Sequence, residues 1–167
     1  MPFSIVKENI VNMKTEAIVN AANNDLCQGS GVCGAVFKAA GANKLRTYCQ
    51  AIGHCSTGKA VITPGGELFA DYIIHTVGPV WHGGKKNEAV LLRDCYKNSL
   101  NLARENYIKS IAFPLISAGI YGYPLKAALT IAIKECSRFC VDNSIDVYLS
   151  LIDPKVIILA QKIDTYI

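Results

Sequence analysis

The chain has 167 residues; seventeen Lys plus Arg against thirteen Asp plus Glu leave a net charge of +4, with 51% hydrophobic and 18% charged residues. That balance excludes disordered and collagen-like chains. It describes an ordinary globular unit, long enough to bury more than ~60% of its unfolded surface without a metal or disulfide staple.

In chain order, short β-branched runs alternate with longer amphipathic ones. Strands are predicted over Ser4 to Lys7, Ala17 to Asn20, Ala60 to Thr63, Tyr72 to Val77, Ser110 to Pro114 and Asp146 to Ile152. Most are apolar on consecutive positions, the mark of a sheet covered on both faces. Helices are predicted over Val32 to Ala40, Lys44 to Ile52, Asn87 to Asn106, Leu125 to Asn143 and from Pro154 onward. In the third, Ala89, Leu92, Tyr96, Leu100 and Ala103 recur at helical spacing, with Asp94, Asn98, Asn101 and Glu105 opposite. This succession predicts a three-layer α/β domain with a largely parallel sheet. No linker, repeat or compositional shift divides residues 1–167, so a single domain is expected.

The longest apolar runs, such as Ala127 to Ile133 and Val156 to Ala160, fall far short of the ~20 residues of a membrane helix. Met1-Pro2-Phe3-Ser4 opens no export signal, because Lys7 and Glu8 interrupt any apolar core. A cytoplasmic location is the resulting expectation, and the seven cysteines are then expected to be free. Cys136 and Cys140 share a helix face but lack the partner ligands of a metal site, so they read as plain thiols.

In sheets of this kind ligands bind beyond the carboxyl ends of the strands, which directs attention to the loops after Asn20, Val77, Pro114 and Ile152. The first contains Gly29-Ser30-Gly31 before a helix, and the third runs Pro114-Leu115-Ile116-Ser117-Ala118-Gly119-Ile120-Tyr121-Gly122-Tyr123-Pro124 before another. Small residues at a helix start expose unpaired amides at the positive end of the dipole, an arrangement suited to phosphate. Two such loops on neighbouring strands would clamp a diphosphate from both sides. Tyr121 either lies against a ribose or base or merely covers its turn.

Together Ala17-Ile18-Val19-Asn20-Ala21-Ala22-Asn23, Gly31-Val32-x-Gly34-Ala35, Ala39-Ala40-Gly41, Ile74-His75-Thr76-Val77-Gly78-Pro79 and Pro114-x-Ile116-Ser117-x-Gly119-Ile120-Tyr121-Gly122-Tyr123-Pro124 resemble the macro domain family, closest to its bacterial MacroD-type branch. The resemblance covers nearly the whole chain. It implies an α/β/α fold with a mixed, largely parallel sheet of about six strands. It also implies ADP-ribose, free or carried by a protein, as ligand, O-acetyl-ADP-ribose as a further substrate, and no cofactor or metal. Nucleic acid is expected only as an ADP-ribosylated target, since no basic stripe with interleaved aromatics is present.

By position, the resemblance implies that Asn9 and Ile10 meet adenine, with Ile152 near the base. Ala21, Gly31, Val32 and the stretch Ser117, Ala118, Gly119, Ile120, Tyr121 would hold the diphosphate through backbone amides. Asn23 would hydrogen-bond the distal ribose, while Asn20 fastens the loop. Asn23 and Cys33 are the candidate catalytic positions.

Three departures from the family pattern bear on function. Hydrolytic members carry Gly-Val-Asp-Gly where this chain has Gly31-Val32-Cys33-Gly34, so a carboxylate able to position water is absent. Some viral macro domains are similar in having cysteine there, and hydrolysis is attributed to them, with the ligand phosphate as water activator. Two roles are open to Cys33: a nucleophile activated at the helix N-terminus, or a small neutral filler. At the adenine end Glu8-Asn9-Ile10 replaces Gly-Asp-Ile, exchanging a carboxylate for an amide and losing charge assistance of about 1 kcal/mol. Ile152 stands where a base-stacking Phe is frequent.

Asp25, in the loop near the presumed ribose, is either a substitute carboxylate or a solvated turn residue. His75 reads as a core histidine and Trp81 as a roof over its neighbouring loop, while His54 and His82 lie in loop regions without a visible partner. The expected function is ADP-ribose binding with hydrolysis of mono-ADP-ribose esters or deacetylation of O-acetyl-ADP-ribose. The alternative is a reader of ADP-ribosylated targets that performs no chemistry.

Overall fold

A computed structural model describes residues 3–167. Met1 and Pro2, part of the segment expected to carry no export signal and of the expected 1–167 domain, lie outside them. The strands are β1 (Phe3–Lys7), β2 (Ala17–Ala21), β3 (Ala60–Pro64), β4 (Tyr72–Thr76), β5 (Ser110–Phe113) and β6 (Asp146–Leu151). The helices are α1 (Gly31–Ala40), α2 (Ala42–Ile52), α3 (Glu88–Glu105), α4 (Leu125–Asp142) and α5 (Pro154–Thr165). All lie within two residues of the sequence expectation at each marked boundary. A short 3-10 turn at Ile10–Asn12, which periodicity cannot reveal, follows β1.

The consecutive apolar residues divide cleanly between two cores. Ala17, Val19, Ile74, Ile111 and Phe113 pack on one face with Leu92, Tyr96, Leu129, Ile133 and Ala160 of α3, α4 and α5. Ile18, Ile73 and Ala112, their alternate neighbours, pack on the other with Val36, Phe37, Leu45 and Cys49 of α1 and α2. This is the three-layer α/β/α arrangement.

The six strands form one sheet in the order β1-β6-β5-β2-β4-β3. Five run parallel, and only β3 runs antiparallel, against β4. From β2 the chain passes to the edge strand β3, turns back through β4 between β3 and β2, then crosses to the other side of β2 with β5. The strand order therefore reverses between β2 and β5, and a crevice opens beyond their carboxyl ends.

Candidate functional site

Above that reversal lies a cleft with two adjoining lobes. The first, about 430 Å³, is lined by Ala21 to Asn23, Gly29 to Cys33, Gly78, Leu115 to Ser117 and Gly119 to Tyr121. The second, about 450 Å³, is lined by Glu8 to Ile10, Gly31, Val32, Ala35, Pro114, Leu115, Ala118, Gly119, Leu125, Ser150 to Asp153 and Val156. Gly31, Val32, Leu115 and Gly119 belong to both and form the waist. The loops after β2, β4, β5 and β6 all contribute, joined by the turn after β1.

Both sides of the waist present main-chain donors. Helix α1 begins at Gly31, and its N-cap residue Ser30 makes no side-chain cap, so the first N–H groups are free. Opposite, the N–H groups of Ala118 to Tyr121 donate to no carbonyl among the described residues, whereas Gly122 and Tyr123 close the turn onto Gly119 and Ser117. No Lys, Arg or His lines either lobe. An anion here would be held by peptide dipoles alone, as in other anion-binding nests.

Two local strains shape this wall. Ser117 has φ +68°, a left-handed conformation unusual for a residue with a side chain, and its buried hydroxyl has no hydrogen-bond partner. Gly78 lies against it: a Cβ there would collide with the Ser117 Oγ and stand 2.6 Å from the Ile116 methyl Cγ2. Gly78 is thus the residue that lets the loop after β4 approach the loop after β5, a role sequence reading did not assign.

At the far end of the first lobe, hydrogen bonds link loop to core. Asn23 Nδ2 donates to the Cys27 carbonyl at 2.9 Å, and Cys27 N–H donates to Asn23 Oδ1 at 3.0 Å. Its amide is therefore partly committed to the loop, with one hydrogen and one lone pair left for a ligand. The Cys33 thiol also points to the Cys27 carbonyl, 3.6 Å away, and Asn20 Nδ2 lies 3.7 Å from Cys33 Sγ. Asn20 Nδ2 stands 3.2 Å from His75 Nδ1, while His75 Nε2 meets Thr63 Oγ1 at 2.9 Å. Thr63 donates to the Pro64 carbonyl, so His75 donates from Nε2 and accepts at Nδ1. Burial holds His75 neutral and lowers its pKa to about 4.

His75 is a core histidine, whereas Asn20, expected to fasten the loop, reaches only His75 in β4 and the Cys33 thiol in α1, and its buried Oδ1 has no partner among the described residues. No histidine or carboxylate contacts the Cys33 thiol, so its surroundings match the neutral filler. Asp25 is exposed and lies outside both linings, leaving it a solvated turn residue. Tyr121 is half-buried in the first lobe, away from the base-sized apolar one. Trp81 packs on Tyr123 with ring centroids 4.8 Å apart, as a roof does. Cys136 is buried and Cys140 partly so; among the described residues no group of three or more His, Cys, Asp or Glu is placed to hold a metal.

In the second lobe Ile10, Val32, Leu125, Ile152 and Val156 supply apolar walls. Asn9 Oδ1 accepts from Val11 N–H at 3.2 Å, so this amide also caps the turn that carries it. Asn9, Ile10, Ala21, Asn23, Gly31, Val32, Cys33, Ile152 and the stretch Ser117 to Tyr121, the positions expected to meet the ligand, each line one lobe or the other, whereas Asn20, Asp25, His75 and Trp81 line neither. Ala118 faces the second lobe alone; Ser117, Ile120 and Tyr121 face the first.

The macro domain family profile matches residues 19–132. The chain belongs to the macro domain family. A macro domain-containing protein of Chlorobaculum tepidum is 52% identical over 138 residues, 83% of this chain and 80% of the relative. A protein of Salmonella typhimurium named O-acetyl-ADP-ribose deacetylase is 49% identical over 139 residues, 81% of this chain and 77% of the relative. The solved Oceanobacillus iheyensis macrodomain with ADP superposes with a TM-score of 0.92 at 35% identity, covering 98% of this chain and 90% of that one. The Trypanosoma brucei macrodomain in complex with ADP-ribose gives 0.88 at 34% identity, covering 96% and 68%. The macro domain described here thus shares its fold and framework with proteins solved around adenine nucleotides.

Proposed function

We propose that this macro domain binds ADP-ribose along the two-lobed cleft and hydrolyses esters on the distal ribose, including O-acetyl-ADP-ribose. The carrying observation is the waist: two facing rows of unpaired backbone amides, with an apolar lobe on one side and, on the other, a lobe of similar volume that holds Asn23 and Cys33. A diphosphate at the waist would place its base among Ile10, Ile152 and Val156 and its distal ribose beside Asn23 and Cys33. Relatives named O-acetyl-ADP-ribose deacetylase at about half identity support the same substrate class.

The mechanism follows from what the first lobe contains. It has no carboxylate or histidine, so no side chain there serves as a general base near neutral pH. The remaining Nδ2 hydrogen of Asn23 orients a ribose hydroxyl, and the amides of Gly119 to Tyr121 fix the diphosphate. A water ordered by the ligand's own phosphate then attacks the ester carbonyl, and the ribose hydroxyl leaves. Positioning supplies most of the rate.

A second reading, a non-catalytic reader of ADP-ribosylated proteins, is favoured by one observation: the thiol of Cys33 where hydrolytic relatives carry a carboxylate. Calorimetry with ADP-ribose tests the shared part, and absence of binding would refute both readings. Incubation with O-acetyl-ADP-ribose and with a mono-ADP-ribosylated acidic protein separates them. Release of acetate or label at catalytic protein concentration supports the hydrolase; retention of both alongside measurable affinity supports the reader.

A further inference from the structure

Beside the first lobe, and beyond Gly78 outside the lining of both lobes, lies a loop held by several backbone hydrogen bonds. It leaves the rim at Gly78, and Trp81 N–H donates to the Tyr121 carbonyl at 2.8 Å, tying it to the cleft wall. From there His82 to Asn87 fold around one side chain. The Glu88 carboxylate, 1% exposed, accepts from the N–H groups of His82, Gly84 and Lys86 at 2.8, 2.9 and 2.6 Å. Gly83, Gly84 and Asn87 all take left-handed φ values, +89°, +86° and +59°. The result of this investment in burial and backbone strain is a stiff, solvent-facing platform carrying His82, Lys85 and Lys86. Neither lysine has an ion-pair partner among the described residues.

We propose that this loop is a docking surface for an acidic polypeptide segment that carries the ADP-ribose, which rests on the functional reading above. In that reading the ester leaves the cleft from the first lobe, where Tyr121 connects to the loop. The lobe is itself free of charge, so any recognition of sequence around the modified side chain falls to its rim. A segment modified on Asp or Glu presents further carboxylates there, complementary to two unpaired ammonium groups. The arrangement does not suit nucleic acid: two lysines make a short patch, and the neighbouring Trp81 is tucked against Tyr123 instead of offering a stacking face.

The test compares three ligands on the wild-type domain and on the K85E/K86E variant, whose altered residues lie outside the cleft. The ligands are free ADP-ribose and two peptides bearing ADP-ribose through a non-hydrolysable linkage, one with Asp/Glu flanks and one with Gly/Ser flanks. Wild type is expected to bind the acidic peptide roughly fivefold tighter than the neutral one, with the difference gone at about 1 M salt. K85E/K86E is expected to lose that preference while its affinity for free ADP-ribose stays unchanged. Equal wild-type affinity for the two peptides, or an equal loss for free ADP-ribose in the variant, overturns the inference. So does tighter wild-type binding of a fourth ligand, an ADP-ribosylated RNA end, than of the acidic peptide. Failure of the wild type to bind free ADP-ribose at all would instead strike the functional reading, and its own titration shows it.

Discussion

Replacing Ser117 by glycine should make the unliganded domain more stable and its ligand weaker. Serine at φ +68° sustains a left-handed conformation that disfavours a Cβ by about 1 kcal/mol. Its hydroxyl is buried without a partner, a desolvation penalty of about 1–3 kcal/mol. Against this, glycine releases more backbone entropy on unfolding, about 0.5–1 kcal/mol. The net gain is about 2 kcal/mol, which for a domain of this size raises Tm by roughly 4–8 °C. Ser117→Ala retains the strained conformation but also avoids the glycine entropy loss, so by removing the hydroxyl alone it should gain nearly as much. Differential scanning calorimetry without ligand reads both. ADP-ribose affinity should fall about two- to fivefold in Ser117→Gly, because a freer loop must be ordered on binding. A Tm unchanged or lowered by Ser117→Gly would refute the reasoning, since it would mean the hydroxyl has a partner that repays its burial.

Gly31→Glu should weaken ADP-ribose binding at least roughly 100-fold by calorimetry: its Cβ would meet nothing within 4 Å, so the carboxylate enters the waist and faces the diphosphate. Cys33→Ala should leave ADP-ribose affinity within about threefold and preserve whatever ester turnover the wild type shows, with no covalent adduct in stopped reactions by mass spectrometry; loss of turnover together with an adduct in wild type would restore the nucleophile. For His75, burial depresses the folded pKa from 6.5 to about 4, so the unfolded chain binds more protons in between. Stability should then fall as pH drops from 6.5 to 4, by up to about 3 kcal/mol, and His75→Gln should flatten that part of a denaturation profile. For Glu88, burial raises the pKa but the three loop amides outweigh it and bring it to about 2. Its stabilisation is present above pH 4.5 and lost as pH falls towards 2, so Glu88→Gln should lower Tm at pH 7 with the gap closing in acid.

The alternation of buried runs made the layers legible in advance, because residues such as Ile18 and Val19 are apolar whichever face they meet. Strand order was not legible: the resemblance implied a mixed, largely parallel sheet of about six strands, and nothing local tells β1 to pair with β6. The waist was legible for a related reason, since Gly31 and Gly119 stand before helices, where free amides are unavoidable. What escaped was chemistry decided by distant partners. Glu88 was not singled out in the sequence, yet the loop from His82 to Lys86 closes over it. Asn23 reads as a free amide facing the ligand, yet Cys27 occupies half of it. Gly78 was only one residue of a flagged loop until the Ser117 hydroxyl was seen beside it.

The same partners explain how the domain accommodates a thiol at position 33, where the resemblance implies a carboxylate in hydrolytic members. A carboxylate at position 33 would confront the Cys27 carbonyl, acceptor against acceptor, at the distance the Cys33 thiol now occupies as a donor. The loop from Asn24 to Ser30 is therefore matched to a donor: Asn23 and Cys33 both serve the one carbonyl, and Asn20 anchors Cys33 to the His75 pair below. Loss of the Cys33 thiol alone leaves the loop fastened, because both hydrogen bonds between Asn23 and Cys27 remain. The first lobe is consequently neutral, with no carboxylate or histidine in its lining. If ADP-ribose binds as proposed, its diphosphate would be the nearest strong acceptor for a water molecule, which would place the activating charge on the ligand and leave the protein the work of geometry.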